Sequence, residues 1–526
     1  MIYRPIVLIV IDGWGISPTW GGNAIAMAKT PVMDQLWREY PHQILQAFRK
    51  LAGPTGQISN SEIGHGSIGT GRMIPQDLQR INEAITNGSF LKNDVLRSIK
   101  KHINDNNSAL HLIGLISDGG IHSSIDHLFA LLEFANQQKI QKVYIHAITD
   151  GRDAPPISAT KYIDQIEKNI ARLKSPAKIA TIIGRFYAMD KINAWDRTHK
   201  TYDCLIKGKG IYANDPYQAV ALGYGEKLND EYIKPTVITQ DKKPIATIKD
   251  GDGIILFNFR SDRIKQLIDL ISGNRTSLFL KPPKNIQIMT LSSLADIAAV
   301  PILPREPAKN SLAEIISTNN LKQFHTAESE KYAHVTYFFN GGREQPFPYE
   351  DRAIVPSPKV ESYRTNPEMS AQKVAENAIK AINNSNYDFI VINFANVDMV
   401  SHTGDIIATA KAAEIVDHQI GKIIDSTISS GGATIITADH GHAENMINIT
   451  KGTPETFHTL SPVPFILVTP NNRKTKGTIP EPVGILMAKI ISTPYSLADV
   501  APTILDLMGI EKPAEMTGKT LLNTLT

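Results

Sequence analysis

Short apolar runs recur along this chain, and nearly every one ends in an acid, an arginine or a histidine. Candidate strands fall at 5–11, 109–117, 142–149, 177–183, 253–259, 285–291, 387–394, 432–437 and 463–468. Helical periods lie between them, near 126–138, 158–173, 370–383, 405–428 and 496–508. Continuously apolar runs alternating with longer helical segments predict an α/β fold with largely parallel sheets. At 526 residues the chain exceeds one ordinary core, so at least two domains are expected. Pro-rich breaks near 301–307 and around Pro75 are candidate crossings between them.

Open α/β sheets bind ligands at the carboxyl ends of their strands, and here those ends carry the chemistry. Asp12 follows the first run, and Ser117-Asp118-Gly119-Gly120-Ile121-His122 closes the second. Asp150-Gly151-Arg152-Asp153, Gly184-Arg185, Phe259-Arg260-Ser261-Asp262-Arg263, Asn396-Val397-Asp398 and Asp439-His440 follow others. The order suggests two sites, with acids and imidazoles from both ends of the chain and cationic groups from its middle.

Composition narrows the function. A net charge of +3 gives no nucleic-acid footprint, and 42% hydrophobic with 20% charged residues describes a globular protein. One cysteine, Cys204, excludes an intrachain disulfide framework and reads as a buried thiol in a reducing compartment. The apolar run after Met1 is too short to span a membrane and no cleavage pattern follows it, so a cytoplasmic enzyme is expected.

Asp398 and His402, four residues apart, share one face if helical, although an isolated pair of this kind is usually a solvent-exposed helix feature. Asp439-His440 ends an apolar run and precedes glycine, which packing explains poorly. His458 gains weight only from its companions. Carboxylates and imidazoles together suit Mn²⁺ or Zn²⁺. Ser61, in Asn60-Ser61-Glu62, reads as a helix N-cap, yet a helix start also offers free N–H groups to a phosphate. Glycines 56, 64, 66, 69 and 71 around it would let backbone approach a ligand. Arg152, Arg185, Arg260 and Arg263 suit bidentate contacts to carboxylate or phosphate, with His122 and Asp153 as candidates for moving a proton. His65, His442 and Glu444 stay open between orienting metal ligands and plain loop roles.

With these motifs in order along the chain, the sequence resembles the cofactor-independent (2,3-bisphosphoglycerate-independent) phosphoglycerate mutases of the alkaline phosphatase superfamily. The resemblance runs almost end to end. It includes Ile11-Asp12-Gly13-Trp14-Gly15, the 56–65 segment around Ser61, Ser117–Ser123, Asp150–Pro156, Gly184–Lys191, Phe259–Arg263, Glu330–Thr336, Asp398–Gly404, Ala438–Gly441 and His458–Leu460.

The resemblance implies an alkaline-phosphatase-like metal domain, 1–75 with 307–526, interrupted by a substrate-binding (phosphotransferase) domain at 76–306. It implies two Mn²⁺-type ions, with Zn²⁺ or Co²⁺ as alternatives and no 2,3-bisphosphoglycerate. Asp398, His402 and His458 would hold one ion; Asp12, Ser61, Asp439 and His440 the other. Lys331 matches a lysine near the phosphate. His122, Arg152, Asp153, Arg185, Lys191, Arg260 and Arg263 match substrate-binding positions. Four residues depart from the family pattern: Lys191 stands for an arginine, Ser124 for a histidine, Val397 for a proline and His442 for an asparagine. The implied protein is a cytoplasmic monomer without nucleic-acid or membrane partners. It would interconvert 2- and 3-phosphoglycerate, a glycolytic and gluconeogenic step, through a phosphoserine at Ser61. Alternatives are a metal-dependent phosphohydrolase, a mutase of a related phospho- or phosphono-compound, and a catalytically silent binding protein.

Overall fold

The structure, a computed structural model, describes residues 3–19, 21–47, 60–260, 263–275, 281–293, 297–448, 452–474, 487, 489 and 491–525. Residues 56–59, Ser261 and Asp262 of the motifs above lie outside the described residues. Two compact units form, one from Met1–Pro75 with Glu306–Thr526 and one from Gln76–Arg305.

The first unit is built on a seven-stranded sheet. Its order is Glu350–Val355, Gln323–Glu328, Phe389–Phe394, Ile6–Ile11, Ala433–Thr437, Val463–Val468, His42–Leu45. The first five are parallel, and Val463–Val468 runs antiparallel to both of its neighbours. The central strand Ile6–Ile11 is apolar at every position and buried at every position, as a strand covered on both faces must be. Ile9 pairs with Ile392 on one side and Ile436 on the other. Each such side chain contributes roughly 1.5–3 kcal/mol by leaving water. Ile11 is level with Phe394 and Val10 with Thr437, so three parallel strands stop together and their following residues share one edge.

The second unit holds a nine-stranded sheet in the order Val300–Leu303, Gln287–Ser292, Gly253–Leu256, Leu110–Leu115, Val143–Thr149, Lys178–Gly184, Thr236–Gln240, Ile211–Ala213, with Lys243–Pro244 paired to Thr236–Gln240. The first six strands are parallel. Period-two alternation splits their side chains: Leu110 and Leu112 enter one apolar cluster, Ile113 and Leu115 the other.

The expected helices appear as Ile125–Gln137, Ala159–Leu173, Ala371–Asn383, Ile406–Ser429 and Val500–Met508. Ser496 and Asp499 form a capping box ahead of the last one. The Pro-rich stretch near 301–307 contains the change of unit between Arg305 and Glu306, and it begins as the strand Val300–Leu303. Pro301 is tolerated there because the strand lies at a sheet edge. Gln323–Glu328, Glu350–Val355 and His42–Leu45 are strands that polar composition concealed. Among the described residues no helix is long and apolar enough to cross a membrane.

Candidate metal and phosphoryl-transfer site

Gly13 makes the turn that aims Asp12. Its φ is +79°, and a Cβ there would meet the Asp398 Cα at 2.9 Å, so only glycine fits. Asp12 is fully buried. Its Oδ1 accepts from Ser61 Oγ at 3.1 Å and Lys331 Nζ at 2.8 Å, and its Oδ2 accepts from Asn393 Nδ2 at 2.9 Å. Burial first, then the charge of Asp439, pushes the Asp12 carboxyl up to about 6 in the metal-free protein.

Ser61 opens the helix Ser61–Thr70, and the cap is Asn60, whose side chain accepts from the Ile63 N–H at 3.0 Å. The N-cap expected at Ser61 therefore falls one residue earlier, which leaves the serine hydroxyl uncommitted to the backbone. Its Oγ lies 2.9 Å from His440 Nε2 and accepts from Lys331 Nζ at 2.7 Å. The helix comes close enough to Asp439 for this only because residue 64 is glycine. A methyl at Gly64 would sit 2.5 Å from the Asp439 carbonyl oxygen and 2.6 Å from its Cβ. Gly64→Ala is expected to cost about 1–3 kcal/mol of stability through overpacking. It should also weaken divalent-ion binding, read by thermal melting and metal titration of the same sample; unchanged values in both would contradict the close approach.

Asp439 Oδ1 accepts from the N–H groups of Gly13, at 3.2 Å, and His440, at 3.0 Å. Its buried Oδ2 has no aligned hydrogen-bond donor, although His65 Nδ1 is 3.2 Å away. His65 braces this corner. Asn393 Nδ2 donates to His65 Nε2 at 3.0 Å, which leaves Nδ1–H to donate to the Ser61 carbonyl at 2.9 Å.

A second group surrounds Asp398 on the helix Asn396–Ser401. Asp398 Oδ1 faces His442 Nδ1 at 2.7 Å, His458 Nε2 at 3.3 Å and His402 Nε2 at 3.5 Å. Lys331 Nζ donates to Oδ2 at 2.7 Å, so one ammonium joins Asp12, Ser61 and Asp398. Burial opposes ionisation of Asp398, but Lys331 and the three histidines outweigh it and hold the carboxyl well below its ordinary range. Burial lowers the His440 imidazole to about 3 and also lowers His442, so both rings are neutral nitrogen donors. Glu444 Oε2 accepts from the His442 N–H at 2.7 Å, and its other oxygen accepts from the Thr459 hydroxyl, which ties the loops bearing His442 and His458.

The ligand atoms of Asp12, Asp439 and His440 all lie within 4.8 Å of one another, as do those of Asp398, His402, His442 and His458. Grouped carboxylate and imidazole donors with an orphaned buried carboxylate oxygen fit divalent cations. His442 was left open in the sequence, and Asn393 was missed. A lone amide inside Phe-Ile-Val-Ile-Asn-Phe was the signal for Asn393.

In the second unit, Arg185 Nη1 pairs with Asp150 Oδ1 at 2.6 Å and Asp153 Oδ2 at 2.8 Å. His122 Nε2 is 3.8 Å from Asp153 Oδ2. Asp150 is the organiser that sequence reasoning overlooked: its Oδ1 also accepts from the N–H groups of Arg152 and Asp153, and its Oδ2 from the Ser117 hydroxyl at 2.6 Å. Burial, then Arg185, Arg260, Arg263 and Arg152, lowers His122 to about 2. Four guanidinium groups thus act on one neutral imidazole, an environment that favours anions. Burial raises Asp153 above its ordinary value against the pull of Arg185. Lys191 is exposed in the loop between Arg185–Ala188 and Trp195–Lys207. Of the other departures, Ser124 caps Ile125–Gln137 and Val397 is buried.

An α/β sheet whose strand ends gather two such donor groups around a serine defines a metal-dependent enzyme class. The comparisons make it specific. The family described as "BPG-independent PGAM N-terminus" matches residues 81–296. The chain is 44% identical over 525 residues to the 2,3-bisphosphoglycerate-independent phosphoglycerate mutase of Clostridium novyi, covering 99% of this chain and 100% of that one. It is 43% identical to the enzyme of the same description from Moorella thermoacetica, with 99% of each covered. The solved structure of Leishmania mexicana phosphoglycerate mutase at low cobalt concentration superposes with a TM-score of 0.72 at 29% identity, covering 98% and 97% of the two chains. The chain belongs to the 2,3-bisphosphoglycerate-independent phosphoglycerate mutase family.

Proposed function

We propose that this chain interconverts 2-phosphoglycerate and 3-phosphoglycerate by passing the phosphoryl group through Ser61. The observation that carries the reading is the position of Ser61 Oγ, within 3.1 Å of Asp12, His440 and Lys331 together. Asp12, Asp439 and His440, with Ser61, would hold one divalent ion; Asp398, His402 and His458 would hold the other. Mn²⁺ is the proposed ion, with Zn²⁺ or Co²⁺ as alternatives. When bound, the ions supply positive charge that lowers the pKa of the serine hydroxyl and offsets phosphate charge.

The residues divide the remaining work. Ser61 Oγ bonds to phosphorus as the bond from phosphorus to the glycerate oxygen breaks, and a proton passes to that oxygen. In the return step the other glycerate hydroxyl gives up its proton and takes the phosphoryl group, which restores Ser61. Lys331 is held protonated, because Asp12, Asp398 and Asp439 outweigh the burial that would lower it, and it counters charge on the moving group. Arg152, Arg185, Arg260 and Arg263 bind anionic groups of the substrate, with Lys191 as a further cation, and His122 is a neutral hydrogen-bonding partner. Asp153, with its raised carboxyl, moves the proton. The Cys204 thiol is buried and pushed up to about 12, so it takes no part in the proposed chemistry, and the location proposed for the chain is the cytoplasm.

An assay that follows both isomers and free phosphate tests the reading. Isomer exchange without phosphate release is expected; phosphate release alone would favour a hydrolase. Metal affinity adds a pH dependence. Burial lowers the His458 imidazole, but its hydrogen bond to Asp398 outweighs this and raises the group above its ordinary value. A bound ion must displace that proton, so Mn²⁺ affinity is expected to be full above the raised value and to fall by about tenfold per lost proton per pH unit below it. Calorimetric titration near pH 6 and pH 8 checks the sign; equal affinities would remove His458 from the ligand set.

A further inference from the structure

The Asp398 group contains more donors than an open metal site needs. Catalytic zinc-type sites use three protein ligands and leave a position free, whereas fully ligated sites use four. In tetrahedral coordination with bonds of ~2.0–2.1 Å, neighbouring donors stand roughly 3.3 Å apart. Asp398 Oδ1 lies 3.3 Å from His458 Nε2 and 3.5 Å from His402 Nε2, and these two nitrogens are 3.1 Å apart. His442 Nδ1, hydrogen-bonded to Asp398 Oδ1 at 2.7 Å, belongs to the same group of donors within 4.8 Å and would draw back from Asp398 on taking an ion. The rings agree. His442 packs edge-on to His402 at 4.4 Å between centroids and to His458 at 5.1 Å. His442 is fully buried, and its other nitrogen, Nε2, has no hydrogen-bond partner. With nothing bonded to Nε2, the ring can carry its proton on either nitrogen, which leaves Nδ1 able to give up its proton to an ion.

We propose that His442 is a fourth protein ligand to the ion held by Asp398, His402 and His458, and that it makes this site, unlike the Asp12 site, favour the alternative ions Zn²⁺ or Co²⁺ over the Mn²⁺ named above. The inference rests on the reading that Asp398, His402 and His458 hold an ion. Its direction follows from donor chemistry. Three imidazoles and one carboxylate suit Zn²⁺ and Co²⁺, whereas Mn²⁺ prefers sites richer in oxygen. Ligation through Nδ1 moves the ring proton to Nε2, so His442 binds as a neutral imidazole and releases no proton to solvent. The Glu444 contact to the His442 N–H, together with the Glu444–Thr459 hydrogen bond, fixes the two histidine-bearing loops relative to each other.

The experiment uses the full-length protein, stripped of metal, in its native form and as His442→Asn and Asp398→Asn. Asparagine keeps an amide donor for Asp398 but offers no ring nitrogen to an ion. Dissociation constants for Zn²⁺ and for Mn²⁺ are measured by chelator competition at one pH. His442→Asn is expected to weaken Zn²⁺ by about 100-fold and Mn²⁺ by less than about tenfold, so that selectivity falls. Equal weakening of both ions, or no change, overturns the proposal and leaves His442 as a hydrogen-bond donor to Asp398. Should the variant unfold, Co²⁺ loaded into the native protein decides. Four contact-shifted imidazole N–H proton resonances, one each from His402, His440, His442 and His458, support ligation, and three overturn it. Asp398→Asn separates the underlying reading: stoichiometry falling from two ions to one upholds this ion site, whereas unchanged stoichiometry sinks both.

Discussion

Ser61→Ala is expected to lower turnover by on the order of 10⁴-fold or more while divalent ions still bind. The substitution removes one oxygen and leaves every other donor in place. Lys331 keeps its contact to Asp12 at 2.8 Å and to Asp398 at 2.7 Å. Asp439 keeps the Gly13 and His440 N–H groups, and His65 keeps the residue-61 backbone carbonyl. The cap of the helix belongs to Asn60, so its start is also preserved. A loss of rate is therefore a loss of nucleophile rather than of fold. Steady-state assay in both directions, with metal content measured on the same preparation, checks both halves. An alanine variant within tenfold of the native rate would mean that the phosphoryl group never rests on Ser61.

Lys331→Met has the second largest expected effect, and it separates stability from chemistry. Lys331 is 5% exposed and lies among Asp12, Asp398 and Asp439. Without the ammonium, buried carboxylates face one another with less compensation, at a cost of about 3–5 kcal/mol in the metal-free protein. The sign with pH is fixed by the acids. Asp12 already sits up at about 6; loss of Lys331 raises it further and lets Asp398, held well below its ordinary range, rise as well. Charged acids destabilise the variant above the raised values, and protonation relieves them, so the part of the deficit that rests on Asp12 shrinks as pH falls toward about 6. Added Mn²⁺ should restore much of the stability. It should not restore turnover, expected to remain about 10²–10³-fold low, because a charge at the moving phosphoryl group is gone. Thermal melts with and without Mn²⁺, set beside the rate, test this. A variant equally stable without metal would contradict the bridging role.

The apolar strands were legible because burial on both faces favours continuous apolar runs: Ile6–Ile11 is apolar throughout, and Ala433–Thr437 admits only threonine besides apolar residues. Gln323–Glu328 was not, since His325 finds buried partners in Val335 O and Gln323 rather than in solvent. Such satisfaction is tertiary and leaves no local pattern. The acids and imidazoles of the site were visible as strand-end residues, and their grouping followed from resemblance. What stayed hidden was the support. Asn393 joins Asp12 to His65 across 381 and 328 residues of sequence separation, and Asp150 gathers Arg185 and the turn carrying Arg152 and Asp153. Ser61 was misplaced by one position as a cap, because Asn60 competes for the same role and asparagine caps as well as serine. His442 could not be ranked from sequence, since its partner Asp398 is 44 residues away.

Rapid acid quench of the metal-loaded protein turning over 2-phosphoglycerate labelled in its phosphoryl group tests the central claim most directly. The account predicts acid-stable label on the peptide containing Ser61, appearing within one turnover and chased into 3-phosphoglycerate by unlabelled substrate. Label on another residue, or isomer exchange with none on the protein, would contradict it.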